Sequence, residues 1–148
     1  MIQYHPSFLT NEECNQLINL YDTSKSYYWE DDIYRFYSIE LNKNKIGISK
    51  FDNFSFDRFR VQMVNTNVNQ VSNFHIHKTP WSFVVFLNQN FKGGELVFEN
   101  NTYSPKTGDM VYFSGDEPHK VNNCIGNRYT LVGFIKNNPM TLTYNNII

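Results

Sequence analysis

Three histidines in this sequence have the residue type and the spacing of metal ligands. His75 and His77 are separated by one residue in the segment FHIHK, and His119 follows in the segment DEPHKV. On a β-strand, residues i and i+2 point to the same face of the sheet, so the first two rings are expected side by side. Two ligands from one strand and a third from a later strand, with open positions opposite them, would form a facial metal site. Imidazole binds iron, zinc, copper and nickel, so these residues alone do not select the metal.

The segment between and after these histidines carries further motifs in a fixed order, namely Leu87-Asn88, Gly93-Gly94-Glu95, Pro105-Lys106-Thr107-Gly108-Asp109, His119 and Arg128. In this order the chain resembles the Fe(II)/2-oxoglutarate-dependent oxygenases of the prolyl-4-hydroxylase-like group. The resemblance covers the C-terminal half strongly and the first helix weakly. One step departs from the family pattern, because His77 stands where the family has the carboxylate of His-x-Asp.

The resemblance implies a cosubstrate site at Arg128. In the family, 2-oxoglutarate chelates Fe(II), and its distal carboxylate needs a fixed cation. Arg128 lies nine positions after His119, and its planar guanidinium can hold a carboxylate through two hydrogen bonds. Thr130 lies two residues further on, so its hydroxyl shares the face of Arg128 and can donate another bond. We expect the strand of these two residues to neighbour the strand of His119.

The resemblance also implies the function. The chain is expected to be an oxidoreductase: a dioxygenase that uses Fe(II) and 2-oxoglutarate and hydroxylates an amino-acid or protein side chain. Its metal ligands would be His75, His77 and His119, a three-histidine variant of the family site. The expected substrate is a small molecule or a peptide, and the sequence does not identify it further.

Two alternatives from other classes remain open at the sequence level. The segment PKTGDMVYFSGDEPHKVNN also resembles the second motif of cupins, which would make the chain a metal protein that does not use 2-oxoglutarate. The first cupin motif, however, requires a glutamate four or five residues after His-x-His, and Trp81 and Ser82 stand there. The other alternative is a non-catalytic binding protein that keeps the oxygenase fold but has lost turnover with the carboxylate.

The elements that must position these residues are mainly β-strands. Aromatic residues make up 17% of the 148 residues, and such residues favour half-buried strands. From Phe74 onward, short predicted strands alternate with turn signals, at 74–78, 82–88, 95–99, 109–114, 118–122 and 127–136. Short strands at regular spacing behind a single strong helix predict a double-stranded β-helix, or jelly roll. At this length we expect one oxygenase-like domain over residues 1–148.

The N-terminal part is predicted to pack a helix on this β-structure. Residues 2–5 read as a short strand, and Thr10 and Glu13 have the spacing of a capping box ahead of a helix that ends near residues 22–24. The apolar residues of this helix recur at helical spacing. A further strand is predicted at 58–66, and the tail 137–148 is expected to be loose.

The overall charge and the apolar runs limit the possible partners. The net charge is −1, which gives no sign of a nucleic-acid-binding surface. No run approaches the ~18 apolar residues of a membrane span, and the N-terminus lacks the pattern of a signal peptide. We therefore expect a cytoplasmic protein with no nucleic-acid or membrane partner. The sequence does not indicate the oligomeric state.

Overall fold

The computed structural model describes residues 1–68 and 73–140. Within these ranges the chain forms one α-helix, α1 (Asn11–Asp22), and one 3₁₀ turn (Ser49–Phe51). The strands of the described residues are β1 (Ile2–His5), β2 (Tyr27–Glu30), β3 (Arg35–Glu40), β4 (Phe56–Val64), β5 (Trp81–Phe86), β6 (Lys92–Gly93), β7 (Leu96–Phe98), β8 (Thr102–Tyr103), β9 (Met110–Ser114), β10 (His119–Val121), β11 (Cys124–Ile125) and β12 (Arg128–Ile135).

The helix begins as the sequence predicts. The side-chain oxygen of Thr10 accepts a hydrogen bond from the amide of Glu13, and a carboxylate oxygen of Glu13 accepts one from the amide of Thr10. This reciprocal pair confirms the capping box and satisfies two amides that the first helical turn would otherwise leave unpaired. Cys14, Leu17 and Tyr21 lie on the buried face of the helix, which anchors α1 to the sheet.

Most strands belong to one large antiparallel sheet with the order β1-β9-β5-β12-β4-β3-β2. A small sheet has the order β10-β7-β8, and β11 pairs with β6 in a two-stranded ladder. The strands β4, β5 and β12 form the middle of the large sheet, where β12 pairs with both neighbours along most of its length. Edge strand β2 is exposed along its whole length.

The two faces of the large sheet bury different layers, as the alternation of side chains along a strand requires. On the outer face, side chains such as Phe59, Phe83 and Leu131 pack with α1 and the 3₁₀ turn in the main core cluster. On the inner face, Phe86 and Phe113 pack against Leu96 and other residues of the small sheet. Two facing β-layers with a helix on the outside confirm the predicted mainly β architecture. Between the layers, the inner face continues into the candidate site.

Two expectations about the strands are wrong. The segment 74–78 is not a strand, because only His75 forms a bridge, with His119. The amide of His77 instead donates to the carbonyl oxygen of Gly115, and residues 78–80 form a bend. The strand of Arg128 does not neighbour the strand of His119 either: β12 lies in the large sheet, whereas β10 lies in the small sheet.

The predicted terminal tail falls mostly on residues 141–148, which lie outside the described residues. In the part of the chain that the structure describes, no helix is long and apolar enough to span a membrane. Cys14 and Cys124 are both buried, and neither forms a disulfide within the described residues.

Candidate metal centre

The structure brings the three histidines together. His75, His77 and His119 form one group in which the candidate ligand atoms all lie within 4.8 Å of one another. The ring centroid of His119 lies 4.2 Å from that of His75 and 4.5 Å from that of His77. Three imidazoles at this spacing can share one metal ion. Among residues 1–68 and 73–140, no carboxylate joins this group.

Backbone hydrogen bonds fix where each histidine lies. His75 and His119 exchange two backbone hydrogen bonds, of 3.0 Å and 3.1 Å. This isolated bridge places the two residues directly opposite one another. The amide of His77 donates to the carbonyl oxygen of Gly115 over 2.7 Å, and the amide of Gly115 donates to the carbonyl oxygen of Pro80 over 2.8 Å. The segment that carries His77 is therefore attached to the end of β9.

The other ring nitrogens orient the imidazoles. Nδ1 of His75 lies 3.2 Å from the carbonyl oxygen of Asn73, and Nδ1 of His119 lies 2.9 Å from the carbonyl oxygen of Glu117. A carbonyl only accepts, so Nδ1 carries the proton in both rings and Nε2 keeps its lone pair. Nδ1 of His77 lies 2.8 Å from the hydroxyl oxygen of the buried Ser82. Partners of this kind fix the ring orientation of metal-bound histidines.

Burial keeps these rings neutral. Loss of solvent lowers the pKa of His77 to about 2, with smaller effects from His119 and His75. Burial also lowers the pKa of His119 to about 4 and lowers the pKa of His75. A group whose pKa lies below neutral pH is deprotonated there, and only the neutral imidazole binds a metal. The three rings are therefore in the ligand form at physiological pH.

Arg128 and Thr130 place unpartnered polar atoms beside this group. Arg128 is 3% exposed and Thr130 is 1% exposed. Nη2 of Arg128 and Oγ1 of Thr130 are buried and have no hydrogen-bond partner among the described residues. Both residues line a cavity of about 110 Å³ together with the three histidines. A buried donor without a partner costs free energy, so these atoms fit a ligand with oxygen acceptors.

Gly94 and Phe86 contact the guanidinium of Arg128 and fix its position. Nε donates to the carbonyl oxygen of Gly94 over 2.9 Å, and Cζ lies 5.6 Å from the ring centroid of Phe86. Gly94 has a φ of +72°, and a Cβ there would lie 2.8 Å from Cδ of Arg128. Burial lowers the pKa of Arg128 to about 10, so the side chain remains cationic at neutral pH. The site thus presents a fixed positive charge to the cavity.

Sequence reasoning missed three residues of the site, namely Tyr34, Arg60 and Gln62. All three line the same cavity as the histidines. Arg60 and Gln62 lie on one face of β4, and Phe59 and Val61 lie on the other. The alternation of polar and apolar residues along this strand predicts that the face of Arg60 and Gln62 is exposed to solvent. The small sheet and the histidine segment cover this face, so its polar residues border a cavity. No spacing rule links Tyr34 to a histidine 41 residues later.

A second, wider cavity adjoins the first. Its volume is about 300 Å³, and Tyr34, Arg60, His77 and Phe134 line both cavities. The guanidinium carbon of Arg60 lies 4.7 Å from the ring centroid of Phe36 and 5.3 Å from that of Phe134. The wider cavity therefore offers aromatic surface and a cation next to the histidine group.

Gly115 is predicted to be essential for the position of His77. A Cβ at this residue would lie 1.8 Å from the carbonyl oxygen of Thr79 and 3.1 Å from that of His77. Gly115→Ala should therefore displace the segment that carries His77, destabilise the protein by roughly 1–3 kcal/mol, and weaken iron binding. Anaerobic iron titration of the purified variant, together with thermal unfolding, measures both effects.

Gly47→Ala is the control for this variant. A Cβ at Gly47 meets nothing within 4 Å, so the substitution should leave iron affinity unchanged even where its φ of +72° lowers the unfolding temperature. Equal iron affinity in Gly115→Ala and the unsubstituted protein would contradict the positioning role of Gly115.

One protein-family model and several solved structures are similar to this chain. The family model of the 2OG-Fe(II) oxygenase superfamily matches residues 55–136, which is more than half of the chain. The match spans all three histidines as well as Arg128 and Thr130, and it favours the oxygenase interpretation over the cupin alternative. No protein with a curated function matches the sequence.

Solved structures share the fold at low sequence identity. An oxidoreductase of the 2OG-Fe(II) oxygenase family from Burkholderia pseudomallei superimposes with a TM-score of 0.72 and 15% identity, over 90% of this chain and 84% of that chain. A Pseudomonas putida prolyl-4-hydroxylase gives a TM-score of 0.71 and 13% identity, over 93% and 92%. A Trichoplax adhaerens prolyl hydroxylase, solved with a peptide fragment of the hypoxia inducible factor oxygen degradation domain, gives 0.70 and 15%, over 90% and 82%. These similarities confirm the predicted double-stranded β-helix.

Proposed function

We propose a function on one premise: the chain belongs to the 2OG-Fe(II) oxygenase superfamily. Members of this family are dioxygenases that use Fe(II) and 2-oxoglutarate. We propose that this chain binds Fe(II) through His75, His77 and His119 and binds 2-oxoglutarate through Arg128 and Thr130. We further propose that it hydroxylates an amino-acid or protein side chain.

One observation carries this proposal. The cavity that holds the three imidazoles also holds the unpartnered Nη2 of Arg128 and the unpartnered Oγ1 of Thr130. A ligand that reaches both the three histidines and Arg128 must offer metal-binding atoms at one of its ends and a carboxylate at the other. 2-Oxoglutarate has this arrangement, and its distal carboxylate would satisfy both donors with charge-assisted hydrogen bonds.

The residues of the chain have distinct roles in this proposal. When bound, iron and 2-oxoglutarate would supply, together with O₂, the oxidising chemistry for hydroxylation of a C–H bond. The three neutral imidazoles hold the iron, and Ser82 orients the ring of His77 through Nδ1. Arg128 neutralises the distal carboxylate and fixes its position, while Gly94 leaves room for the guanidinium. Phe86 beside Arg128 and Val132 in the cavity wall are buried apolar side chains. They would exclude water around these groups and so strengthen each electrostatic interaction.

The wider cavity supports the proposed substrate class. At about 300 Å³ it is large enough for one amino-acid side chain, and it opens beside His77. Phe134 offers an apolar wall, and Arg60 offers a cation that pairs with no carboxylate among the salt bridges of the described residues. These features fit a peptide or an amino acid that places a C–H bond towards the iron.

Turnover of 2-oxoglutarate tests the proposed function. The iron-loaded protein is supplied with 2-oxoglutarate, ascorbate and air in the presence of proline-containing peptides and free amino acids. Succinate formation is measured, and each candidate substrate is examined by mass spectrometry for the gain of one oxygen atom. Succinate that rises with one class of candidate, together with its oxygenated product, is the expected result. A protein that binds iron and 2-oxoglutarate but forms no succinate with or without candidates would support the non-catalytic alternative.

His77→Asp tests the departure from the family pattern. The substitution replaces a neutral nitrogen ligand with the anionic oxygen that the family uses, so 2-oxoglutarate turnover is expected to be maintained or raised. The succinate assay measures this change, and His77→Ala is the matched control because it removes the ligand without a replacement. Loss of all turnover in His77→Asp, with activity in the unsubstituted protein, would mean that the three-histidine site is the functional form.

A further inference from the structure

The side chain of Tyr34 reaches the group of three histidines. Its hydroxyl oxygen contacts Nε2 of His75 and lies 3.2 Å from Nε2 of His77. These are the nitrogens that face the candidate metal, because the Nδ1 atoms of both rings have other partners. Two ligand atoms at right angles, each about 2.1 Å from a metal, are about 3 Å apart. The 3.2 Å between the oxygen of Tyr34 and Nε2 of His77 has this length, so these two atoms can share a metal.

A tight turn between β2 and β3 holds Tyr34 in this place. A side-chain oxygen of Asp31 accepts hydrogen bonds from the amides of Ile33 and Tyr34, over 2.7 Å and 2.6 Å. The amide of Asp31 donates to the carbonyl oxygen of Tyr34 over 2.9 Å. An aspartate that bonds the amides two and three residues later is a stable turn motif. The backbone of Tyr34 is therefore fixed by three local hydrogen bonds rather than by the histidines.

Ring packing directs the side chain towards the histidines. The ring of Tyr34 meets the ring of His75 edge to face, with centroids 4.5 Å apart, and it meets Phe36 in the same way at 6.0 Å. Edge-to-face pairs at such distances are favourable aromatic contacts. The hydroxyl consequently points into the cavity of the histidines, where Tyr34 forms part of the wall.

The chemistry of the site leaves a role for such an oxygen. Three imidazoles supply no negative charge and no hard oxygen ligand, and no carboxylate joins the group within the described residues. A tyrosine phenolate supplies both, and iron accepts it, as the axial tyrosine of catalase haem illustrates. Tyr34 can thus replace the anionic oxygen that His77 does not provide.

We propose that Tyr34 is a fourth protein ligand of the iron. This proposal rests on the three-histidine iron site proposed above. Together with the three imidazoles, the phenolate of Tyr34 would give the iron four protein ligands.

The visible spectrum of the Fe(III) form tests this proposal directly. A phenolate bound to Fe(III) gives a strong visible charge-transfer band and, on excitation in that band, tyrosinate ring modes in the resonance Raman spectrum; three imidazoles give neither. The protein is loaded with one iron per chain, oxidised without cosubstrate, and measured. The band and the ring modes are expected in the unsubstituted protein and in Tyr28→Phe, and both are expected to be absent in Tyr34→Phe.

Tyr28→Phe is the matched control, because Tyr28 lies on β2 of the same hairpin and is 47% exposed. The Raman measurement on the unsubstituted protein decides the question even where Tyr34→Phe fails to fold. Bound iron without tyrosinate modes, or modes that persist in Tyr34→Phe, would overturn Tyr34 ligation and leave the proposed function intact. A protein that takes up no iron would overturn both proposals together.

Discussion

His119→Ala is expected to abolish stoichiometric Fe(II) binding. His119 is 3% exposed. Its ring centroid lies 4.2 Å from that of His75 and 4.5 Å from that of His77. Loss of the hydrogen-bond partner of a metal-bound histidine already weakens metal affinity roughly 10–100-fold. Loss of the ligand itself should therefore exceed ~100-fold. Anaerobic equilibrium dialysis with Fe(II), followed by metal analysis, measures the change.

His5→Ala is the control for that experiment. His5 lies on β1, and its Nε2 lies 3.0 Å from the side-chain oxygen of Gln3, outside the histidine group. This variant should bind one iron per chain with unchanged affinity. Circular dichroism of both variants checks that the fold is retained. Stoichiometric iron in folded His119→Ala would remove His119 from the site.

Arg128→Ala is expected to weaken 2-oxoglutarate binding far more than iron binding. The guanidinium is buried, remains cationic at neutral pH, and has a free Nη2 in the cavity of the histidines. A hydrogen bond to a charged group contributes about 1.5–3 kcal/mol, which corresponds to roughly 10–150-fold in the dissociation constant. Calorimetric titration of the anaerobic iron-loaded protein with 2-oxoglutarate measures this effect.

Three further variants make the result specific. Arg128→Lys keeps the charge but loses the planar fork, so it should recover only part of the affinity. Thr130→Val removes the second donor at similar shape and should cost less than Arg128→Ala. Arg58→Ala, which removes an exposed partner of Glu40, should change nothing. Equal 2-oxoglutarate affinity in Arg128→Ala and the unsubstituted protein would refute the assigned role of Arg128.

The sequence predicted the parts of this molecule that local chemistry determines. The capping box of Thr10 and Glu13 and most strands carry their signal within a few residues. The histidines were also found locally, but for a reason that is only partly correct. His75 and His77 converge because His75 bridges His119 and His77 is tied to Gly115, and not because they share a regular strand.

The remaining features depend on contacts between distant segments. The small sheet that carries His119 faces β12 instead of extending the same sheet, and no pattern in either segment specifies this layer arrangement. Tyr34 and Arg60 were missed for the same reason. Each lies in an aromatic or charged run that is compatible with an ordinary exposed strand, and only the packing of β3 and β4 over the histidine segment turns them into the site.

The most direct test of the central claim is an anaerobic titration. Fe(II) is added to the purified protein, 2-oxoglutarate follows, and the visible spectrum is recorded for the weak metal-to-ligand charge-transfer band of the chelate. The proposed site predicts that the band appears at one equivalent of each component and is lost in His119→Ala. Stoichiometric iron without this band at saturating 2-oxoglutarate would contradict the claim that the three-histidine site binds iron and 2-oxoglutarate together.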